Sequence, residues 1–155
     1  MSHQALILRD PARAEPTVRA LAALGVDARC AQLISAIWPQ DTAALHAAAA
    51  GLHAGNYDWL VLSSVNTVHV LHTLSGGRPL PAALRVAAVG QSTAQAAERL
   101  LGRAASFRPD RQSAAGMIAE WAPDPGSRVL YPHGDLASST LADGMARWPV
   151  EVHEV

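Results

Sequence analysis

Three segments of this chain each join a short apolar run to a turn of small polar residues and then to an amphipathic helical stretch. They are Trp59-Leu-Val-Leu-Ser-Ser-Val-Asn-Thr-Val68, Val86-Ala-Ala-Val-Gly-Gln-Ser-Thr-Ala-Gln95 and Val129-Leu-Tyr-Pro-His-Gly-Asp-Leu-Ala-Ser138. Repeated strand–turn–helix units leave few folds open, because parallel strands need long crossovers and a helix is the usual one. In such open sheets, ligands lie at the carboxyl ends of the strands, where helix N-termini expose unpaired backbone N–H groups. Those amides and the helix dipole both favour anions. The turns contribute Ser63, Ser64, Asn66, Ser92, Thr93 and Ser138 but no run of positive charge. The pattern therefore predicts a neutral, amide-rich shelf for a polyanionic small molecule.

Read along its length, the chain alternates strands and helices as a parallel, doubly wound, flavodoxin-like α/β sheet does. Ala5 to Leu8 is expected as a buried strand. Pro11 opens a helix with Val18, Leu21, Ala22 and Leu24 on its apolar face, stopped by Gly25. Arg29 to Ile37 reads as the next strand, ended by Trp38-Pro39. Asp41 is a good N-cap for an alanine-rich helix to about His53. A strand at Trp59–Leu62 leads to a helix capped by Ser64 or Asn66, with Val68, Leu71 and His72 turned inward. Leu84 to Val89 is a strand. Ser92 and Gln95 have capping-box spacing at the head of a helix stopped by Gly102. A short strand at Ala104–Phe107, a helix at Ser113–Trp121 and a turn at Pro123–Gly126 follow. Arg128–Tyr131 is expected as a strand, Ser139–Trp148 as a helix and Val150–Val155 as a last strand.

Composition closes off several chemistries. Half of the 155 residues are hydrophobic and 16% are charged, which argues against disorder. A net charge of -1 gives no electrostatic reason to expect nucleic acid or an anionic membrane. No apolar run reaches bilayer length and the N-terminus does not read as a signal peptide, so a cytoplasmic location is expected. The single Cys30 cannot form an internal disulfide and reads as a small buried hydrophobe. All 12 basic residues are arginine. Without lysine, a phosphate-loop nucleotidase and Schiff-base chemistry are both excluded. His69 and His72 lack a third ligand or a cysteine, so no metal site is expected. Asp41, Asp58 and Asp135 form no paired-carboxylate constellation, and the tryptophans at 38, 59, 121 and 148 read as scattered packing residues.

The ordered set of motifs resembles the N-terminal part of the uroporphyrinogen-III synthase family. The pieces that carry it are Leu6-Ile-Leu-Arg-Asp-Pro11 with Leu24-Gly25-Val26, then Asp58-Trp-Leu-Val-Leu-Ser-Ser-Val-Asn-Thr-Val68. Val86-Ala-Ala-Val-Gly-Gln-Ser-Thr-Ala-Gln-Ala96 and Val129-Leu-Tyr-Pro-His-Gly-Asp135, leading to Val152-His-Glu-Val155, complete the set. The resemblance implies a two-domain fold with substrate held between the halves. Residues 1–37 would be a βαβ fragment of the first domain, 39–149 a second α/β domain and 150–155 the returning strand. It also implies the activity, cyclisation of hydroxymethylbilane to uroporphyrinogen III with inversion of ring D, in tetrapyrrole and heme biosynthesis. No cofactor is implied. The partners implied are the hydroxymethylbilane substrate and the hydroxymethylbilane synthase that makes it, with the protein a monomer.

The resemblance carries substrate contact onto Ser63, Ser64, Asn66, Gly90, Ser92, Thr93, His133 and Gly134, with Arg9 at the end of the first strand. It singles out no catalytic residue. Each of these also has a structural reading. Ser92 and Thr93 are natural helix caps, Gly90 eases a tight turn, and Arg9 can pair with Asp10. Many relatives carry arginine where this chain has His133, and a tyrosine follows the returning strand where this sequence ends at Val155. A shortened chain of low activity is the expectation. The rival is a non-catalytic flavodoxin-like binding or interaction module. In that case the first 37 residues should join the sheet that holds Leu60 and Val86; in the synthase they should stand apart from it.

Overall fold

In the computed structural model, which describes residues 3–155, the chain divides into two units, Met1–Pro39 and Gln40–Val155. The first unit is one strand–helix–strand. β1 (His3–Ile7) and β2 (Val26–Cys30) pair in parallel from His3↔Val26 to Ile7↔Cys30, connected by α1 (Pro11–Ala23). Asp10 starts the helix by accepting a hydrogen bond from the Arg13 N–H at 3.1 Å, and Pro11 fits the first turn, which needs no donor. Gly25, at φ 74°, turns the chain out of the helix where a side chain would be strained.

The second unit is a four-stranded parallel sheet in the order β4-β3-β5-β6. In chain order it comprises α2 (Ala43–His53), β3 (Trp59–Leu62), α3 (Val65–Leu74), β4 (Arg85–Ala88) and α4 (Gln91–Leu101). α5 (Ala114–Glu120), β5 (Arg128–Tyr131), α6 (Thr140–Met145) and β6 (Glu151–Glu154) follow. The period of two along each strand divides its residues between two cores. Leu60, Leu62, Val86 and Leu130 face α2, α3 and α4, meeting Leu52, Val68, Leu71 and Leu101. Trp59, Val61, Ala87, Val129 and Tyr131 face α5 and α6, meeting Met117, Leu141 and Met145. With both faces covered, the inner strands can be apolar throughout, and the sheet is doubly wound as expected.

Several local expectations change. The expected strand Arg29–Ile37 begins earlier, at Val26, and ends at Cys30; residues 31–39 have no regular structure. β1 offers partners only as far as Ile7, whose carbonyl accepts from the Ala31 N–H at 3.0 Å, so the ladder stops there. On α1, Val18 and Leu21 are half-buried, but Ala22 is exposed and Leu24 is 78% exposed. The Ala104–Phe107 strand reduces to one bridge, Ala87↔Phe107. The helix expected over Ser139–Trp148 spans only Thr140–Met145, and Pro149, without an N–H, closes the turns after it.

Helix caps shift as well. Thr42, not Asp41, is the residue flanking α2, although the Asp41 carboxylate still accepts the Ala43 N–H at 2.8 Å. α4 begins at Gln91 with Gly90 as its N-cap, so Ser92 and Thr93 lie inside the helix and do not cap it. Gln112 reaches in from the segment before α5, and its Oε1 accepts the Gln91 N–H at 2.8 Å. The tryptophans are not all scattered. Trp121 meets Trp59 and Trp148 edge-on at 5.1 and 5.4 Å between ring centroids, a favoured aromatic geometry.

Candidate functional site

Because β4, β3 and β5 run parallel side by side, the three turns that leave them open at the same end of the sheet. Each turn handles its helix start differently. After β3, Ser64 is extended (φ -145°, ψ 143°) and its hydroxyl accepts the Asn66 N–H at 3.1 Å. After β4, the extended Gly90 has no side chain to offer, and Gln112 serves instead. A Cβ at Gly90 would stand 3.4 Å from that Gln112 oxygen, in contact with the cap. After β5, the chain runs through Pro132, His133 and Gly134 to Ser138, whose Oγ lies 2.8 Å from the Thr140 hydroxyl.

A hollow of about 360 Å³ opens between the ends of β3 and β5. Ser63, Ser64, Gly134 and Ser138 supply its polar rim, and Ala114, Leu136 and Leu141 its apolar wall. Tyr131, the last residue of β5, lines it as well and is only 2% exposed. None of the residues lining the hollow is charged.

Burial holds the Tyr131 phenol above its ordinary range, the Ser63 hydroxyl offsets this in part by hydrogen bonding, and the Glu154 carboxylate raises it further. The phenol is therefore neutral at physiological pH. The His133 ring lies against the Tyr131 ring with centroids 4.8 Å apart. Its Nε2 is 3.2 Å from Glu154 Oε2, and its Nδ1 is 3.2 Å from the Gly134 carbonyl. The backbone repeats the connection between β5 and β6: the His133 N–H donates to the Val155 carbonyl at 2.9 Å, and the Val155 N–H to the Tyr131 carbonyl at 3.3 Å.

Of the residues singled out from the sequence, Ser63, Ser64 and Gly134 line one hollow, with His133 directly behind it. Asn66 is exposed on the first turn of α3. Gly90, Ser92 and Thr93 stand at the end of the neighbouring strand β4 and do not line the hollow; Ser92 is exposed and Thr93 is only 4% exposed. Arg9 lies in the first unit, exposed between β1 and α1. Sequence reasoning missed Tyr131 and Gln112. Tyr131 was signalled by its position as the last strand residue before a ligand-facing turn. Gln112 carried no local signal, because its partner lies 21 residues away.

Among the described residues, no group of three or more His, Cys, Asp or Glu could hold a metal ion. No helix among them is long and apolar enough to cross a membrane. β1 and β2 form their own two-stranded sheet, apart from the one that holds Leu60 and Val86.

The family model described as uroporphyrinogen-III synthase HemD matches residues 15–155. Three solved structures of uroporphyrinogen III synthase from Thermus thermophilus are similar in fold. A selenomethionine-labelled mutant superposes with a TM-score of 0.67 at 15% identity, covering 99% of this chain and 60% of that one. The wild-type enzyme in another crystal form gives a TM-score of 0.58 at 15% identity, covering 98% of this chain and 59% of that one. A third structure gives 0.56 at 15% identity, with 99% and 61% covered. The chain thus spans about 60% of the length of the solved structures it matches. No curated protein sequence matches it significantly. The chain belongs to the uroporphyrinogen-III synthase family.

Proposed function

We propose that this member of the uroporphyrinogen-III synthase family acts on hydroxymethylbilane, closing it to uroporphyrinogen III with inversion of ring D. One observation carries the reading: three strand-to-helix turns of mostly small residues, none with an arginine, open side by side at the carboxyl end of β4, β3 and β5. A linear tetrapyrrole with eight carboxylates suits such a shelf, because amides and hydroxyls can receive the carboxylates without a matching set of buried cations.

The chemistry asks little of a nucleophile. Loss of the terminal hydroxyl leaves a methylene cation conjugated to an electron-rich pyrrole. Attack on it by the substituted carbon of the last ring gives a spiro intermediate, which rearranges with that ring inverted. What the protein must supply is a fixed conformation of a flexible chain and a route for protons. Ser63, Ser64, Ser92, Gly90 and Gly134, with the amides beside them, would do the holding. A non-catalytic flavodoxin-like module would have its first two strands in the main sheet; the separate β1–β2 sheet counts against that reading.

Purified chain mixed with hydroxymethylbilane, with the products resolved as isomers I and III, tests the proposal. Slow but measurable isomer III is expected where the protein-free control gives isomer I. A product ratio equal to the control, with no quenching of the protein's tryptophans by the bilane, would overturn it.

A further inference from the structure

Positive charge reaches the carboxyl end of the sheet from a segment that none of the three turns contains. After α4 the chain reverses at Gly102 and runs beside β4 in the same direction. The parallel bridge Ala87↔Phe107 fixes that course, with the Ala88 N–H donating to the Phe107 carbonyl at 3.0 Å. Residues 108–113 therefore arrive at the end where the turns open, and they bring Arg108 and Arg111 with them. Both sides of this loop are tied to the shelf. Gln112, next to Arg111, accepts the Gln91 N–H at the end of β4, and Ala114 lines the hollow between β3 and β5.

The loop's backbone is fixed while its guanidiniums are left open. Glu120 accepts from the Asp110 N–H at 2.7 Å through Oε2 and from the Arg111 N–H at 3.3 Å through Oε1, so both of its oxygens hold main chain. Pro109 is buried, and a Cβ on Gly116 would lie 2.0 Å from the Arg111 carbonyl. Arg108 and Arg111 are exposed, and among the described residues neither guanidinium makes a hydrogen bond or an ion pair. Arginines at the amino ends of the strands are engaged instead: Arg85 with Asp124, Arg128 with Asp58, and Arg103 with the Ala82 and Leu84 carbonyls. Asp110 stands between the two loop arginines, which leaves the loop one net positive charge. The far flank of the shelf has the opposite sign, with Asp135 after β5 and Glu154 on β6.

Resting on the substrate reading above, we propose that Arg108 and Arg111 bind carboxylate arms of the linear tetrapyrrole on the β4 side of the shelf. A guanidinium matches a carboxylate in shape, and an exposed one binds it without burying charge. The charge difference between the flanks then orients the substrate, with its arms drawn towards β4 and away from Asp135 and Glu154.

Rapid-mixing tryptophan quenching by hydroxymethylbilane tests this on the wild-type chain, Arg108→Gln, Arg111→Gln and the double variant. Arg99→Gln is the control, an exposed arginine in the last turn of α4, at the opposite end of the sheet. Each loop glutamine is expected to weaken binding about threefold and the pair about tenfold, with Arg99→Gln unchanged. The loss should shrink at high salt, because it comes from exposed charge. If the loop variants weaken binding no more than Arg99→Gln, or the loss persists undiminished at high salt, the arginine flank is overturned while the synthase reading stands. If the wild-type chain does not bind hydroxymethylbilane, the synthase reading falls and this flank falls with it.

Discussion

β1 and β3 are spelled in similar letters and live in different surroundings. In β3 all four residues from Trp59 to Leu62 are buried; in β1 none is, and Leu6 is 65% exposed. Both strands pair in parallel and both lead into a helix. What differs is coverage. The second unit's sheet has helices on both faces and strands flanking β3 on both sides, whereas β1 has one strand partner, β2. Secondary structure in the first unit therefore rests on local signals, the Asp10 cap and the Gly25 turn, more than on packing. Leu6, Leu33, Ile34 and Ile37, all strongly exposed, lack the burial that their residue types would gain in a core. An apolar residue reports the capacity to be buried; the neighbours decide whether the capacity is used.

Truncating one leucine in each unit should expose the difference most sharply. Leu60 is fully buried among Leu52, Val68 and Leu101, so Leu60→Ala leaves a cavity and is expected to cost about 2–5 kcal/mol. Leu6→Ala removes a side chain already mostly in water and should change stability by less than about 0.5 kcal/mol. Urea unfolding of the two variants, followed by tryptophan fluorescence and circular dichroism, measures both. Equal losses would mean that the coverage argument is wrong.

Glycines that end helices offer a smaller but cleaner contrast. Gly25 and Gly102 both hold positive φ, at 74° and 64°, Gly25 two residues past the end of α1 and Gly102 directly after α4. Alanine at either position is strained by about 1–2 kcal/mol from the backbone alone. At Gly102 the new Cβ would also meet Pro79 Cβ at 2.9 Å; at Gly25 it would meet nothing within 4 Å. Gly102→Ala should therefore destabilise more than Gly25→Ala. Hydrogen exchange resolved by segment should show the first effect across α4 and its sheet and the second confined to α1 and β2. If the two variants lose the same protection in the same segments, the two units do not respond separately.

The strand–turn–helix grammar was legible in the sequence because its signals are local: apolar runs of four, small polar turns, and glycine after a helix. β3 and β5 matched their expected limits, and Ser64 and Ser113 cap α3 and α5. The errors fall where the answer lay across the fold. β2 ends where its partner runs out, α4 is capped by Gln112 from a distant segment, and three tryptophans gather around one another although they stand far apart in the chain. The site was partly legible for the same reason. Ser63, Ser64 and Gly134 flank strand ends and line the hollow, whereas the environment of Tyr131 depends also on Glu154, its register partner on β6. Turn residues announce themselves by composition; a strand residue's chemistry is set by the strand alongside.

Alkaline pH should separate the units through tyrosine alone. The chain has two tyrosines, Tyr57 and Tyr131, and both belong to the second unit. Burial holds both phenols above their ordinary value of 10.0, with Glu151 adding to the effect at Tyr57 and Glu154 at Tyr131. The folded state thus keeps its protons where the unfolded chain would release them. Stability from this source is complete below about pH 10 and is lost as pH rises through the raised folded values. The second unit should accordingly weaken above about pH 10, while the first unit, with no phenol, takes no part in that loss. Tyr131→Phe should flatten the alkaline fall more than Tyr57→Phe, because Tyr131 is buried and Tyr57 is half-exposed, its hydroxyl 2.5 Å from His153 Nδ1. Urea midpoints between pH 8 and 11, with tyrosinate absorbance recorded in parallel, give the comparison. An alkaline slope unchanged by either phenylalanine would show that ionisation elsewhere drives the loss, and the contrast drawn through the phenols would fail.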